Sequence, residues 1–286
     1  MEFEKMLDGE NTDSLYSFWG EYRKRLTEFI VDGIENYYIR EKLRKTGKKR
    51  LYQDYNMEQI VEELGDKPVL GIWGAGGCND IDIKLLSKYF RLVLIDDNLY
   101  RSEEAKERFQ VSDCVCVDLK FWDITEEEYL MLEAMYKDSA SEEEVSAYIR
   151  DIVKNMGAID YSSLPKFDFS VAVGLVSQLN SRIVALAQVC DYRKNITPVM
   201  DEINEIAVER LFDVMNVMTK NMVLQGYECN TNGQTKEVTV KGSREMDELI
   251  RKNQESGQIK IFIEDYDEWN FMNNKTYLMK YVIYEE

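Results

Sequence analysis

Hydrophobic and polar positions change their period along this chain. Between residues 12 and 45, Leu15, Trp19, Tyr22, Leu26, Phe29, Gly33 and Tyr37 recur every three or four residues with charges between them. That spacing predicts a long amphipathic helix. The basic run Arg40–Arg50 that follows suits a solvated helix end, where Lys and Arg complement the negative pole of the helix; an anionic partner is the alternative reading. Met57–Leu64 predicts a short helix closed by Gly65. From residue 68 the pattern switches. Short apolar runs, Val69–Trp73, Leu92–Ile95, Cys114–Val117 and Phe167–Val176, alternate with helical stretches. Apolar runs with no polar face predict strands buried on both sides, hence a parallel sheet covered by helices.

The connection between the third and fourth strands, about 121–166, is enlarged. Thr125-x-x-Glu128 and Ser141-x-x-Glu144 are capping boxes that open two helices in it, and the excursion reads equally as a lid over a pocket or as decoration. A helix runs from Gln178 to about Asp191. Thr197-Pro198 opens a longer one, whose methionines at helical spacing read as core filler. Met222–Glu228 predicts a fifth strand and Ser243–Asn253 a helix. Ile259–Asp265 and Tyr277–Tyr284 predict two last strands, antiparallel to each other across a turn at Asn273-Asn274. Two units follow: an N-terminal helical cap, 1–56, and an α/β domain, 57–286.

Charge and composition narrow the chemistry. The 286 residues carry 36 basic and 54 acidic side chains, a net charge of −18, which repels a nucleic-acid backbone. No histidine is present, which excludes Ser-His-Asp and Cys-His catalysis and histidine metal sites. A proton acceptor would have to be Asp, Glu, Tyr or Lys. Five cysteines without paired spacing predict free thiols and no structural metal. With no export signal or membrane-length apolar run, a reducing cytoplasm is expected.

The candidate chemistry lies at the strand ends. Gly74-Ala75-Gly76 follows a buried strand, where glycines allow a sharp turn and let a ligand reach the backbone. The N-terminus of the next helix is expected to offer free N–H groups. Asp96 ends the second strand roughly 20 residues later, where an acid bonds a ribose diol in nucleotide-binding folds. Asp97 is its adjacent alternative, expected to turn toward the following helix. Asp118 ends the third strand, with Asp113 and Asp123 as its competitors for an adenine contact. The other reading of strand-end aspartates is helix capping.

Together the run Val69-Leu-Gly-Ile-Trp-Gly-Ala-Gly-Gly-Cys-Asn-Asp80, the run Leu92–Asp97, Asp118, Val176-Ser-Gln178 and the late antiparallel pair resemble class I S-adenosylmethionine-dependent methyltransferases, over about residues 57–286. The loop is similar to that of a bacterial methyltransferase-like subgroup with a Gly-Ala-Gly-x-Cys-Asn-Asp signature. The resemblance implies a Rossmann-like α/β fold with a seven-stranded, mostly parallel sheet, order 3-2-1-4-5-7-6, the seventh strand antiparallel. It implies S-adenosylmethionine held by Gly74, Ala75, Gly76, Asp80, Asp96, Asp97, Asp118, Leu119 and Ser177. Asp96 would take the ribose, Asp118 with the Leu119 amide would take the adenine, and Asp80 would reach the cofactor's amino group. The sequence departs from the family at Ile72, usually an acid, and at Cys78, usually the third glycine. The implied activity is methyl transfer to a small molecule or peptide. A non-catalytic binding module of the same fold is the alternative, and a nicotinamide-dependent oxidoreductase fits less well because of the antiparallel tail.

Overall fold

The computed structural model of the chain describes residues 16–47, 55–118, 125–155, 164–233, 235–272 and 275–286. The described elements are α1 (Gly20–Thr46), α2 (Met57–Leu64), β1 (Val69–Trp73), α3 (Ile83–Tyr89), β2 (Arg91–Asp96), α4 (Leu99–Phe109), β3 (Cys114–Asp118), α5 (Glu126–Lys137), α6 (Glu142–Asn155), β4 (Phe167–Val173), α7 (Ser181–Val189), α8 (Thr197–Met218), β5 (Thr219–Thr231), α9 (Ser243–Ser256), β6 (Lys260–Met272) and β7 (Lys275–Glu285). A single 3-10 turn, Val176–Gln178, follows β4.

The seven strands form one sheet in the order β3-β2-β1-β4-β5-β7-β6. The β1–β2, β1–β4, β2–β3 and β4–β5 pairs are parallel, and β7 runs antiparallel to both of its neighbours. This is the expected Rossmann-like α/β order. The fourth strand stops earlier than its apolar run suggests, because Gly174 takes φ +63 and turns the chain out of the sheet. The fifth strand is longer than expected at both ends, since β4 pairs with it from Thr219 and β7 as far as Thr231. The predicted turn at Asn273-Asn274 lies outside the described residues, as do Lys48–Arg50 of the basic run.

Alternation along the strands sends side chains to two cores. Leu70, Ile72, Leu92, Leu94, Phe169 and Val171 join the core under α1 to α4, while Val69, Trp73, Val93, Ile95, Phe167 and Tyr227 join the core under α8 and α9. The N-terminal helix belongs to the first core. Leu26, Ile30 and Ile34 of α1 are buried in it beside the sheet residues, each worth about 1.5–3 kcal/mol on burial. Gly71 is small for a reason of packing: a Cβ there would stand 2.6 Å from the Phe167 ring.

The enlarged connection forms a third core. Both capping boxes close as the sequence suggests, Glu128 N–H donating to Thr125 Oγ1 and Glu144 N–H to Ser141 Oγ, each at 3.2 Å. Tyr129, Leu132, Tyr136, Val145 and Ile149 of α5 and α6 then pack on Ile183, Leu186 and Ile203 of α7 and α8.

Candidate functional site

A cavity of about 690 Å³ opens at the carboxyl ends of β1, β2, β4 and β5. That volume falls within the roughly 300–1,000 Å³ typical of small-molecule sites. It sits where the topology places one: β1 leads outward through β2 to β3, β4 leads outward through β5, and the crevice between β1 and β4 is left open. The described residues of α5 and α6 line none of it; these two helices pack on α7 and α8 instead.

The glycine loop forms one wall. The Gly74 and Ala75 amides donate to the Ile95 carbonyl at 2.8 and 3.2 Å, which folds the loop over β2. Gly74 has φ +69, and a Cβ on it would strike Leu175 Cδ1 at 2.8 Å. Gly76 has φ +46, and a Cβ there would meet no atom within 4 Å. Gly76 therefore keeps an opening clear where Gly74 permits a close contact. Cys78, at the usual third-glycine position, also adopts a left-handed φ of 51° and is buried. The backbone keeps the glycine conformation there with a different side chain. The expected helix N-terminus plays another part: α3 begins only at Ile83, is capped by its own Asp82, and does not line the cavity. The loop Gly74–Asp80, and not the helix, lines the cavity, because the chain runs on through Asp82 before α3 begins.

Asp96 closes this loop. Its carboxylate accepts from the Gly76 amide at 2.6 Å and from the Asn98 amide at 2.9 Å. Burial, aided by the adjacent Asp97 charge, pushes its pKa up to about 6. Asp97 does not turn toward α4 as expected. It pairs with Arg182 Nη1 of α7 at 2.8 Å, and both residues line the cavity. Asp80 lines the cavity near Arg23, and burial pushes its pKa up to about 6. Ser177 lines it on the β4 side. Asp118 is paired in backbone register with Asp96, at the adjacent strand end; its side chain and the whole of Leu119 lie outside the described residues, as does Asp123.

Sequence reasoning missed the opposite wall. Glu228 of β5 is 4% exposed and faces the cavity. Its two oxygens accept from Ser177 Oγ at 2.8 Å and from Ser243 Oγ at 3.0 Å, and burial raises its pKa. Beside it stand Trp19, Trp269, Phe271 and Tyr277. Trp269 meets Trp19 edge-on at 5.1 Å, and Trp19 Nε1 donates to the Phe271 carbonyl at 2.7 Å. The signal available was an isolated Glu among the apolar residues of strand five, a residue type that costs too much to bury without a task or a partner.

The residues fit S-adenosylmethionine. The opening at Gly76 is one a Cβ would fill. Each Asp96 oxygen spends one acceptor site on the backbone and keeps another for a ribose hydroxyl.

No family model matches the chain, and no curated protein matches it. Solved structures do. A SAM-dependent methyltransferase from Aquifex aeolicus is 10% identical over 85% of this chain and 97% of its own, with a TM-score of 0.37. TehB from Haemophilus influenzae is 10% identical over 85% of this chain and 65% of its own, with a TM-score of 0.40. The glycopeptide N-methyltransferase MtfA is 8% identical over 79% and 93%, with a TM-score of 0.40.

Proposed function

We propose that the protein is an S-adenosylmethionine-dependent methyltransferase. The observation that carries this reading is Asp96, at the end of β2, tied to the Gly76 amide at the edge of the cavity. The same contact orders the loop and presents a carboxylate to a ribose. The adenine is assigned to Asp118, at the end of β3, with the Leu119 amide, and the amino-acid end to Asp80 with the Gly74–Gly76 backbone. Ser177 tethers Glu228 and shapes the border of the nucleoside site.

When bound, S-adenosylmethionine would supply a methyl group already activated on a sulfonium. Alignment is then the main task of the protein, and it can supply roughly 7–11 kcal/mol at best. The rigid glycine loop and the packed wall of Trp19 and Trp269 are suited to it. Trp19, just before α1, lines the cavity, so the described part of the N-terminal segment contributes to this site. The acceptor is a small molecule or a peptide. Free thiols at Cys78, Cys114, Cys116, Cys190 and Cys229 suit a reducing compartment.

Calorimetry with S-adenosylmethionine, S-adenosylhomocysteine and NAD tests the reading. Binding of the first two without NAD supports it. Binding of NAD alone, or of none of the three, rejects it.

A further inference from the structure

We propose that the wall between Glu228 and the Trp19–Trp269–Phe271–Tyr277 cluster is the acceptor subsite, and that it takes an amine carried as a cation on a flat apolar body. This rests on the methyltransferase reading for the word acceptor, while the cation site stands on its own geometry.

Four observations converge on it. Glu228 is a buried carboxylate in the cavity whose hydrogen-bond partners among the described residues are all neutral: the Ser177 and Ser243 hydroxyls and its own backbone amide. Hydroxyl donors hold a carboxylate in place without cancelling its charge, so its charge is left for a ligand. Next, Gly174 brings carboxylate and indole together: a Cβ on it would lie 3.8 Å from Glu228 Oε1 and 3.5 Å from Trp269 Cζ3. One small group seated there touches both. The aromatic surface is also continuous, with Trp269 stacked on Tyr22 at 5.0 Å and edge-on to Phe271 at 4.9 Å. Such faces attract ammonium groups. Finally, the rim already holds a cation of this kind. The Lys275 ammonium lies 4.7 Å from the Tyr277 ring centre and 6.0 Å from that of Phe271, and its charge acts on Glu228. The wall's chemistry therefore suits an alkylammonium, and the lysine is a resident competitor at its edge.

The nearest basic side chains in the cavity stand on the other side. Arg182 is engaged by Asp97, and Arg101 belongs to α4, so an anionic acceptor has no reason to choose the Glu228 wall.

The test uses the full chain, with 2-phenylethylamine and its anionic counterpart 3-phenylpropionate as probes, read by tryptophan fluorescence and calorimetry. The amine should bind at least tenfold tighter than the acid. Glu228→Gln, which keeps the shape and the serine contacts, should weaken the amine about tenfold and leave S-adenosylhomocysteine within a factor of two. Lys275→Ala, a surface change that leaves the fold intact, should tighten the amine several-fold by removing the competing charge. Equal binding of both probes overturns the proposal. So does unchanged amine affinity in Glu228→Gln, or a loss of amine binding in Lys275→Ala. If Glu228→Gln does not fold, the Lys275→Ala result and the probe pair decide alone. Failure of wild type to bind S-adenosylhomocysteine would sink the methyltransferase reading and leave the amine measurement standing.

Discussion

Replacing Asp96 by alanine separates two roles held by one carboxylate. In the free protein it accepts from the Gly76 amide at 2.6 Å and the Asn98 amide at 2.9 Å. Hydrogen bonds to a charged group are worth roughly 1.5–3 kcal/mol each, but burial and the Asp97 charge both work against the ionised form here. The expected net loss of stability is therefore about 1–3 kcal/mol, less than two full bonds. The ligand-side loss is separate: a ribose diol deprived of its acceptor forfeits roughly 1.5–3 kcal/mol, on the order of tenfold to a hundredfold in affinity. Asp96→Asn is the companion, since it preserves shape while its amide nitrogen must face one of the two backbone donors. Asp97→Ala is the control. It breaks the Arg182 pair and lowers the charge beside Asp96, so it should change nucleoside affinity less than threefold. Stability is read by urea unfolding and affinity by calorimetry with S-adenosylhomocysteine on protein shown to be folded. If Asp96→Ala binds like wild type, or if Asp97→Ala costs more affinity than Asp96→Ala, the ribose assignment is wrong.

Two further substitutions probe the loop and the N-terminal helix. Gly76→Ala adds a methyl that meets no protein atom, so it should cost only about 1–2 kcal/mol of stability for its left-handed backbone yet sharply weaken S-adenosylhomocysteine. Gly74→Ala, which drives a Cβ to 2.8 Å from Leu175, should show the larger loss in unfolding experiments. Ile30→Ala should lower stability by about 2–5 kcal/mol in urea titrations, because Ile30 is fully buried against the sheet. A loss under 1 kcal/mol would mean that α1 is not part of this core.

The strands could be read from the residues because their causes are local, whereas their order was what the family resemblance implied. A run such as Leu92–Ile95 is apolar on both faces, and only a two-sided sheet uses such a run. The glycine loop and Asp96 were legible for the same reason, since both follow directly from where a strand stops. What escaped depends on contacts between distant elements. Asp97 meets Arg182 from a helix some eighty residues away, and no periodicity reports that. Glu228 receives one hydroxyl from the turn after β4 and another from the start of α9. The helix-end donors expected after Gly76 failed because a loop's length depends on how its backbone bonds close: Cys78 N–H returns to the Ala75 carbonyl before any helix starts. Helical spacing reports Trp19 as a packing residue, and at 5% exposure it is one, yet it also stands at the cavity wall.

The acidic lining carries a consequence for which ligand the cavity prefers. Asp80 and Asp96 both have pKa values pushed up to about 6, and that of Glu228 is raised as well. A raised carboxyl pKa means the site resists negative charge, and a positive ligand relieves that resistance. S-adenosylmethionine carries a sulfonium charge that S-adenosylhomocysteine lacks. At an effective dielectric of about 20, a carboxylate about 8 Å from that charge contributes roughly 2 kcal/mol before screening. The arginines Arg23, Arg101 and Arg182 and the rim Lys275 reduce the sum, leaving on the order of 1 kcal/mol, or several-fold in affinity. The sign follows from titration: a carboxyl with a pKa of about 6 is roughly one-tenth ionised at pH 5 and nine-tenths at pH 7. The preference for S-adenosylmethionine over S-adenosylhomocysteine should therefore grow several-fold from pH 5 to pH 7. Below pH 7 both ligands keep an ionised carboxylate and a protonated amine, so the ratio of their dissociation constants over that range, measured by calorimetry at constant ionic strength, reports the protein's charges. A ratio independent of pH, or one that falls as pH rises, would show that these carboxyls do not face the sulfonium.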